Sequence, residues 1–274
     1  MIASLPVTSA RTLAEAYAVL ADRPRGLRVL AGGTDLMVAV NARVDLENIG
    51  HVLDIWRVPE LRGISATPDT LVVGALTTYT ELAGSALVRK ELPALALVSK
   101  EVGAWAIQNR GTLGGNVCNA SPAGDTLPIL LAAEARFVLG GPRGERVVFA
   151  DRFFVGYRKT ALGADELLLR VEIPKLGRAR LVYRKVGTRR AQSISKLILA
   201  ARAAPGLREV RVAAGCVAPV PLRCKKAEAA VEARGDFAKA LQDDIAPIDD
   251  LRSTVVYRRQ VAANVLGQLV QRLS

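Results

Sequence analysis

The sequence predicts an α+β protein built in two parts, and three observations carry that reading. Short apolar runs bounded by Gly, Pro and Asp turn residues alternate with stretches at helical spacing along the whole chain. An apolar strand, Glu166 to Ile173, is closed by Pro174, and a basic run without a single acid follows, from Gly177 to Arg190. The chain ends on a helix, about Val255 to Leu273, whose Val261, Val265, Leu269 and Leu273 form an i, i+4 stripe for core packing. With 274 residues, 50% apolar and 23% charged, the chain can bury a sizeable core, which excludes disorder and fibrous repeats.

The opening helix is marked by Thr12 and Glu15 in a capping-box pattern, with Leu13, Ala16 and Leu20 on one face and Pro24 and Gly26 as its stop. A short strand, Arg28 to Ala31, then runs through Gly32-Gly33-Thr34-Asp35 into a helix from Leu36 to about Asn41. Val52 to Ile55 forms another strand, and Leu61 to Ser65 pairs with Thr70 to Gly74 across the turn residues Pro68 and Asp69. Thr78 and Glu81 make a second capping box. One longer helix is expected from Glu91 to about Ala106, with Pro93 in its first turn and Leu92, Leu95, Ser99 and Val102 at helical spacing. A long polar loop dense in Gly, Asn and Ser, Asn109 to Asp125, leads into an apolar helix from Thr126 to about Ala133. A hairpin around Gly140 to Gly144 and a short helix after Asp151 complete the first part. The second part holds strands at Leu181 to Val186, Ser193 to Ala201 and Glu209 to Val217, then a helix from Cys224 to Arg234 after Pro219 and Pro221.

Composition narrows the chemistry. No apolar run is long enough to cross a bilayer, and Met1 to Ala10 lacks the basic and apolar regions of a secretion signal, so a cytoplasmic protein without a transmembrane segment is expected. Cys118, Cys216 and Cys224 show no CxxC spacing, and His51 is the single histidine. Disulfide frameworks, protein-only zinc sites and His-dependent triads are disfavoured together, so an enzyme of this composition borrows a cofactor for its chemistry. A net charge of +12 suits polyanions, an acidic protein partner or simply a solvated basic face, but with 4% aromatic residues and no nucleic-acid-binding motif, nucleic acid is not an expected partner.

The two glycine loops call for a physical reason, because paired glycines lose much conformational entropy on folding. Without a Cβ the backbone can approach a ligand closely and aim N–H groups at an anion. Gly32-Gly33-Thr34-Asp35 and Thr112-Leu113-Gly114-Gly115-Asn116 can each grip one phosphate of a dinucleotide, although neither matches GxGxxG or GxxxxGK[ST]. The alternative is two tight turns without a ligand.

Thr112-Leu113-Gly114-Gly115-Asn116 with Asn119-Ala120-Ser121-Pro122-Ala123-Gly124-Asp125 closely resembles the TIGGN…ASPAGD signature of the FAD-binding subunit of molybdenum hydroxylases, the group of xanthine dehydrogenase, carbon monoxide dehydrogenase and aldehyde oxidoreductases. Ala31 to Leu36 is similar to that family's first FAD loop. Val73 to Thr78, Glu166 to Pro174, Tyr183 to Gly187 and Tyr257-Arg258-Arg259 follow in the family order, so the resemblance covers essentially the whole chain.

The resemblance implies a two-part FAD-binding region of the vanillyl-alcohol oxidase (PCMH) type over residues 1–174, in subdomains of about 1–55 and 56–174. A C-terminal domain with a three-stranded antiparallel sheet and helices would follow over 175–274. It implies FAD contacts from Val29, Leu30, Ala31, Gly32, Gly33, Thr34, Asp35 and Leu36, and from Thr112, Gly114, Gly115 and Asn116. Asp125 would hold a polar group of the cofactor, Leu168 would touch the flavin region, Lys185 would lie close to the cofactor, and Val102 matches a contact position by spacing. Asp125 as a helix N-cap, Leu168 as core and Lys185 as a solvated cation are the plain alternatives. No side chain is expected to act as a catalytic group and no metal is expected in this chain.

The implied function is electron transfer: electrons arrive from the [2Fe-2S] clusters of a small iron–sulfur subunit and leave to NAD or another acceptor. A large molybdopterin subunit carrying the molybdenum cofactor would hydroxylate the substrate, in a heterotrimer or a dimer of heterotrimers, with a lean toward the xanthine dehydrogenase type. The alternatives are a free-standing flavin oxidase or reductase of the same fold and a non-catalytic basic binding module.

Overall fold

A computed structural model describes residues 5–22, 24–42, 48–189 and 192–274. Arg190, at the end of the basic run, lies outside the described residues. The chain opens with β1 (Val7–Ser9), α1 (Leu13–Asp22), β2 (Leu27–Leu30), α2 (Leu36–Asn41) and β3 (His51–Asp54). The three strands form a parallel sheet with β3 in the centre, pairing Val7 with Val52 and Leu27 with His51. Thr12 Oγ1 accepts from the Glu15 amide at 3.2 Å as the capping pattern predicts, while the Glu15 carboxylate reaches one residue further, to the Arg11 amide at 2.6 Å. α1 buries Ala16 and Leu20 against Leu53, Ile55, Leu76 and Leu169, which joins this small sheet to the next region.

A turn of 3₁₀-helix at Pro59–Leu61 leads to β4 (Ile64–Ala66) and β5 (Thr70–Gly74), the predicted hairpin. The Thr78 and Glu81 capping box is fully formed at the start of α3 (Tyr79–Gly84). The single long helix expected over Glu91 to Ala106 is instead three pieces: α4 (Ala86–Glu91), α5 (Pro93–Ser99) and α6 (Trp105–Gln108). The first break has a local cause: a residue preceding proline is pushed out of the helical region, and Leu92 sits at φ −146°, ψ 70°. The loop expected over Asn109 to Asp125 also contains a helix, α7 (Leu113–Asn119), which Thr112 caps and which Ala120 ends in the left-handed conformation at φ 48°.

α8 (Leu127–Ala132) is buried along its whole length. β6 (Arg136–Gly141) and β7 (Gly144–Phe149) make a hairpin, followed by α9 (Ala150–Phe153), the small ribbon of β8 (Phe154–Gly156) and β9 (Lys159–Thr160), and β10 (Leu167–Pro174). The second sheet is antiparallel in the order β4-β5-β10-β6-β7. Its apolar face, α5 and α8 form the largest core, which also takes in Ile198, Ala200 and Ala213 from beyond Pro174.

The last region is a sheet of four strands, not three: β11 (Arg180–Val186), β12 (Leu197–Ala204), β13 (Arg208–Gly215) and β14 (Leu222–Arg223), antiparallel in that order. β14 has only two residues, pairing Ala214 with Leu222 and Ala213 with Arg223, so no alternation announces it between the prolines and the next helix. α10 (Lys225–Glu232), α11 (Phe237–Gln242) and α12 (Val255–Leu273) complete the chain. β12 is buried on both faces, Ile198 and Ala200 toward α8 and Leu197, Leu199 and Ala201 toward α12. The α12 stripe packs as predicted, Val265, Leu269 and Leu273 being buried and Val261 partly so.

Candidate functional site

The small parallel sheet and the region after it meet at an open cleft of about 1000 Å³, at the top of the roughly 300–1,000 Å³ range of small-molecule sites. One wall is the segment that leaves β2 and enters α2, Val29 to Leu36. Opposite stand Ala75, Leu76 and Tyr79 after β5, and Thr112, Gly114, Gly115 and Asn116 at the start of α7. Leu167 and Leu168 of β10 with Ile55 give an apolar surface, and Arg158, in the turn between β8 and β9, adds a cation.

The glycines explain how the two loops come together. A Cβ on Gly32 would lie 1.6 Å from the Arg110 carbonyl oxygen, so the first loop is pressed directly on the chain leading to the second. Gly33 holds φ +81°, which favours glycine. A Cβ on Gly114 would meet the Cβ and carbonyl oxygen of Ala75 at 2.6 Å, and the Gly114 amide donates to that same carbonyl at 2.9 Å. At Gly32 and Gly114 the neighbouring protein backbone therefore demands glycine, a reason distinct from the ligand approach that the sequence suggests. Gly115 donates its amide to Thr112 Oγ1 at 3.0 Å, the N-cap of α7.

Polar side chains then lace the loops. Asn119 Nδ2 donates to Asp35 Oδ1 at 2.9 Å, and Arg158 Nη1 donates to Asn119 Oδ1 at 2.7 Å, tying the first loop, α7 and the β8–β9 turn into one unit. Cys118 also lines the cleft. Burial pushes its thiol up to about 12, more than a backbone hydrogen bond at Leu168 brings it down, so it keeps its proton and is no nucleophile. Burial likewise pushes the Tyr79 phenol far above its ordinary value.

Every site residue read from the sequence lines this cleft except Val102, Asp125 and Lys185, and these three fall together just behind it. Lys185 Nζ donates to Asp125 Oδ2 at 2.6 Å and to the Glu101 carbonyl, one residue before Val102, at 2.9 Å. Ser195 Oγ donates to Asp125 Oδ1 at 2.6 Å and Tyr183 donates to Glu101 Oε1 at 3.0 Å. Lys185 is not a solvated cation, since its side chain is only 5% exposed. Nor does Asp125 cap α8, whose N-cap position is Thr126. Thr126 instead donates Oγ1 to Asn116 Oδ1 at 2.6 Å, which connects this buried network to the cleft wall. Burial pushes the Asp125 carboxyl up, against the charge of Lys185 and the hydrogen bonds from Lys185 and Ser195. Val102 packs half-buried on the main core.

Tyr79 and Arg158 are site residues that the sequence does not announce. Tyr79 reads as one more apolar position after a cap, and Arg158 sits at φ 51° in a two-residue turn, where composition offers no signal. The cleft suits FAD in kind: mostly apolar walls, a few convergent polar groups, and backbone of two separate loops brought close enough to share one ligand.

Comparison with known proteins agrees. Residues 3–176 match the family described as the FAD binding domain in molybdopterin dehydrogenase, and residues 182–273 match the CO dehydrogenase flavoprotein C-terminal domain. The chain is 31% identical to the carbon monoxide dehydrogenase medium chain of Hydrogenophaga pseudoflava, over 96% of this chain and 93% of that one. It is 32% identical to a putative xanthine dehydrogenase FAD-binding subunit of Escherichia coli, over 95% and 93%. Among solved structures, carbon monoxide dehydrogenase from Hydrogenophaga pseudoflava superposes with a TM-score of 0.89 at 31% identity, covering 98% of this chain and 95% of that chain. Quinoline 2-oxidoreductase from Pseudomonas putida 86 gives a TM-score of 0.88 at 26% identity, covering 98% and 96%. Matched along nearly all its length by these models and relatives, the chain belongs to the FAD-binding subunits of the molybdenum hydroxylases, as the flavoprotein component of an oxidoreductase.

Proposed function

We propose that this chain holds FAD across the cleft and relays electrons from the [2Fe-2S] clusters of a partner subunit to NAD or another acceptor. The supporting observation is the meeting of two glycine loops, distant in sequence, on one cleft with an apolar surface from β10. Bound FAD supplies the conversion between one-electron and two-electron transfer, which amino-acid side chains do not provide. The chain's residues bind and orient. Val29 to Leu36 and Thr112, Gly114, Gly115 and Asn116 would hold the polar part of the cofactor, and Leu168 would offer an apolar surface to its ring. Arg158 contributes positive charge at the cleft. Asp125 and the buried Lys185 brace the wall from behind, and Val102 supports the Glu101 carbonyl that Lys185 holds.

The same reading divides the chain into an FAD-binding domain, 1–174, and a C-terminal domain, 175–274, and places it in a complex with an iron–sulfur small subunit and a molybdopterin large subunit. The substrate belongs to the large subunit. Relatives named for carbon monoxide, xanthine and quinoline resemble this chain to similar degrees, so its own residues do not select among substrates. The test is purification of the tagged chain from its own cell, with an absorbance spectrum, metal analysis and mass spectrometry. A yellow complex containing molybdenum and iron is expected. A colourless chain that takes up no added FAD overturns the proposal, and a yellow chain without iron or molybdenum overturns its electron-transfer part.

A further inference from the structure

A second cavity, of about 390 Å³, opens where the end of α8, the β6–β7 hairpin and α9 meet β14, and it shares no lining residue with the cleft. Its charged walls are Glu134, Arg136, Asp151, Arg152 and Arg223; Phe149 and Pro174 are among its apolar ones. The acids there are already engaged. Glu134, at φ 55° just past α8, accepts from Arg211 Nε at 2.6 Å and Arg202 Nη2 at 2.9 Å, with Arg223 Nη1 at 3.5 Å. Arg223, its side chain 10% exposed, is also held in a fork by Glu228. Asp151 faces Lys225 at 4.0 Å.

The cations are in excess, and Arg136 and Arg152 are incompletely satisfied. Arg136 reaches Thr70 Oγ1 at 3.4 Å and Glu172 at 3.7 Å through Nη2, while its Nε is buried without a hydrogen-bond partner. Arg202 Nε, whose Nη2 holds Glu134, is in the same condition, although Arg202 itself does not line the cavity. Arg152 is exposed on α9 and has no ion pair among the described residues. Buried donors without acceptors are costly, and guanidinium forks match tetrahedral oxyanions. The space exceeds what a bare oxyanion fills, and its remainder is apolar.

We propose that this cavity binds a phosphate-bearing small molecule, with Arg136 and Arg152 at the phosphate group, Arg223 adding positive charge from the wall while its fork stays on Glu228, and Phe149 and Pro174 against the rest. The site is independent of FAD. Calorimetric titration of the full chain with inorganic phosphate, against chloride at matched ionic strength, is expected to show saturable binding at one site. Arg152→Gln and Arg136→Gln each weaken it by roughly tenfold or more, the loss of one charge-assisted contact, while Arg158→Gln in the cleft leaves it intact. Because Arg152 is exposed and unpaired, its variant folds even if Arg136→Gln does not, and Arg152→Glu sharpens the same test. Absence of saturable binding, binding unaltered in Arg152→Gln, or binding lost only in Arg158→Gln overturns the proposal.

Discussion

The two glycine loops look alike in sequence and are supported by opposite kinds of physics. The first rests on the small parallel sheet near solvent, held by Arg110, whose exposed guanidinium stacks on Trp56 at 3.9 Å with Arg62 on the same ring at 4.4 Å. The second is buried under Ala75, with the desolvated Asp125–Lys185 pair behind it. A surface cation–π contact is worth about 0.5–1 kcal/mol, whereas breaking a buried ion pair by removing one partner costs about 3–5 kcal/mol. The second loop therefore stands on an all-or-none brace and the first on an adjustable one.

Lys185→Met breaks this comparison most severely. We expect a loss of about 3–5 kcal/mol at neutral pH, because Asp125, buried beside the lost cation, must either hold an unpaired charge or take up a proton that the unfolded chain does not bind. Burial already holds the Asp125 carboxyl above its ordinary value, and removing Lys185 raises it further. A carboxyl with a folded-state pKa above the unfolded one binds more protons in the folded state, so stability falls as pH rises through the window above about 4. The deficit of Lys185→Met thus shrinks in acid and grows as pH rises from about 4 toward the raised folded-state pKa, and Asp125→Asn added to it recovers part of the loss. Urea unfolding across pH measures this; a pH-independent deficit means that Asp125 is not the group left stranded.

Gly32→Ala comes next. Its Cβ would stand 1.6 Å from the Arg110 carbonyl oxygen, so the loops must part. A cost of about 3 kcal/mol is expected, the upper end for overpacking, together with loss of FAD binding in a fluorescence titration. A variant that keeps both stability and FAD affinity would show that the loops do not meet there.

The same contrast explains what the sequence reveals. Elements with strong local marks are legible: the Thr78–Glu81 box that starts α3, the glycine loop between β2 and α2, the apolar stripe of α12. Pro93 is a local mark with two meanings, and the helix expected through it divides because the same ring that suits a first turn expels Leu92 from the helix before it. α7 is hidden for another reason. Its Gly- and Asn-rich sequence has poor helix propensity, and burial of Leu113, Gly114 and Val117 with the Thr112 cap holds it in place. In the site, the resemblance points to the two loops that line the cleft, whereas Asp125 and Lys185, expected at the cofactor, pair with each other outside its lining; that pairing and the arrival of Tyr79 and Arg158 depend on how sheets pack, which no local window contains.

A smaller effect is expected from Trp56→Ala, which removes the ring shared by Arg62 and Arg110. The two contacts together are worth about 1–2 kcal/mol. FAD affinity falls modestly, because Arg110 still reaches the Gly32 carbonyl with Nε at 3.4 Å. Trp56→Phe keeps a ring and recovers part of both. Equal losses in the two variants would show that a retained ring contributes nothing to the two arginines and would overturn the cation–π assignment.

Gly115→Ala is expected to change stability least and to say most. Alanine gains about 0.5–1 kcal/mol over glycine inside a helix. Against this, the new Cβ would come 2.9 Å from Thr112 Oγ1, the cap that the Gly115 amide itself bonds, and disturbing such a cap costs about 1 kcal/mol. The two terms nearly offset, so thermal unfolding should move little. Beyond Thr112, its chain neighbours and its own helix's backbone, the Cβ meets no atom of the described residues within 4 Å, unlike those of Gly32 and Gly114, yet Gly115 lines the cleft. It is therefore the glycine at which close approach of a ligand, rather than of the protein's own backbone, can be the requirement. Weakened FAD binding with stability unchanged assigns it that role, whereas unchanged binding leaves the N-cap geometry of α7 as its only constraint.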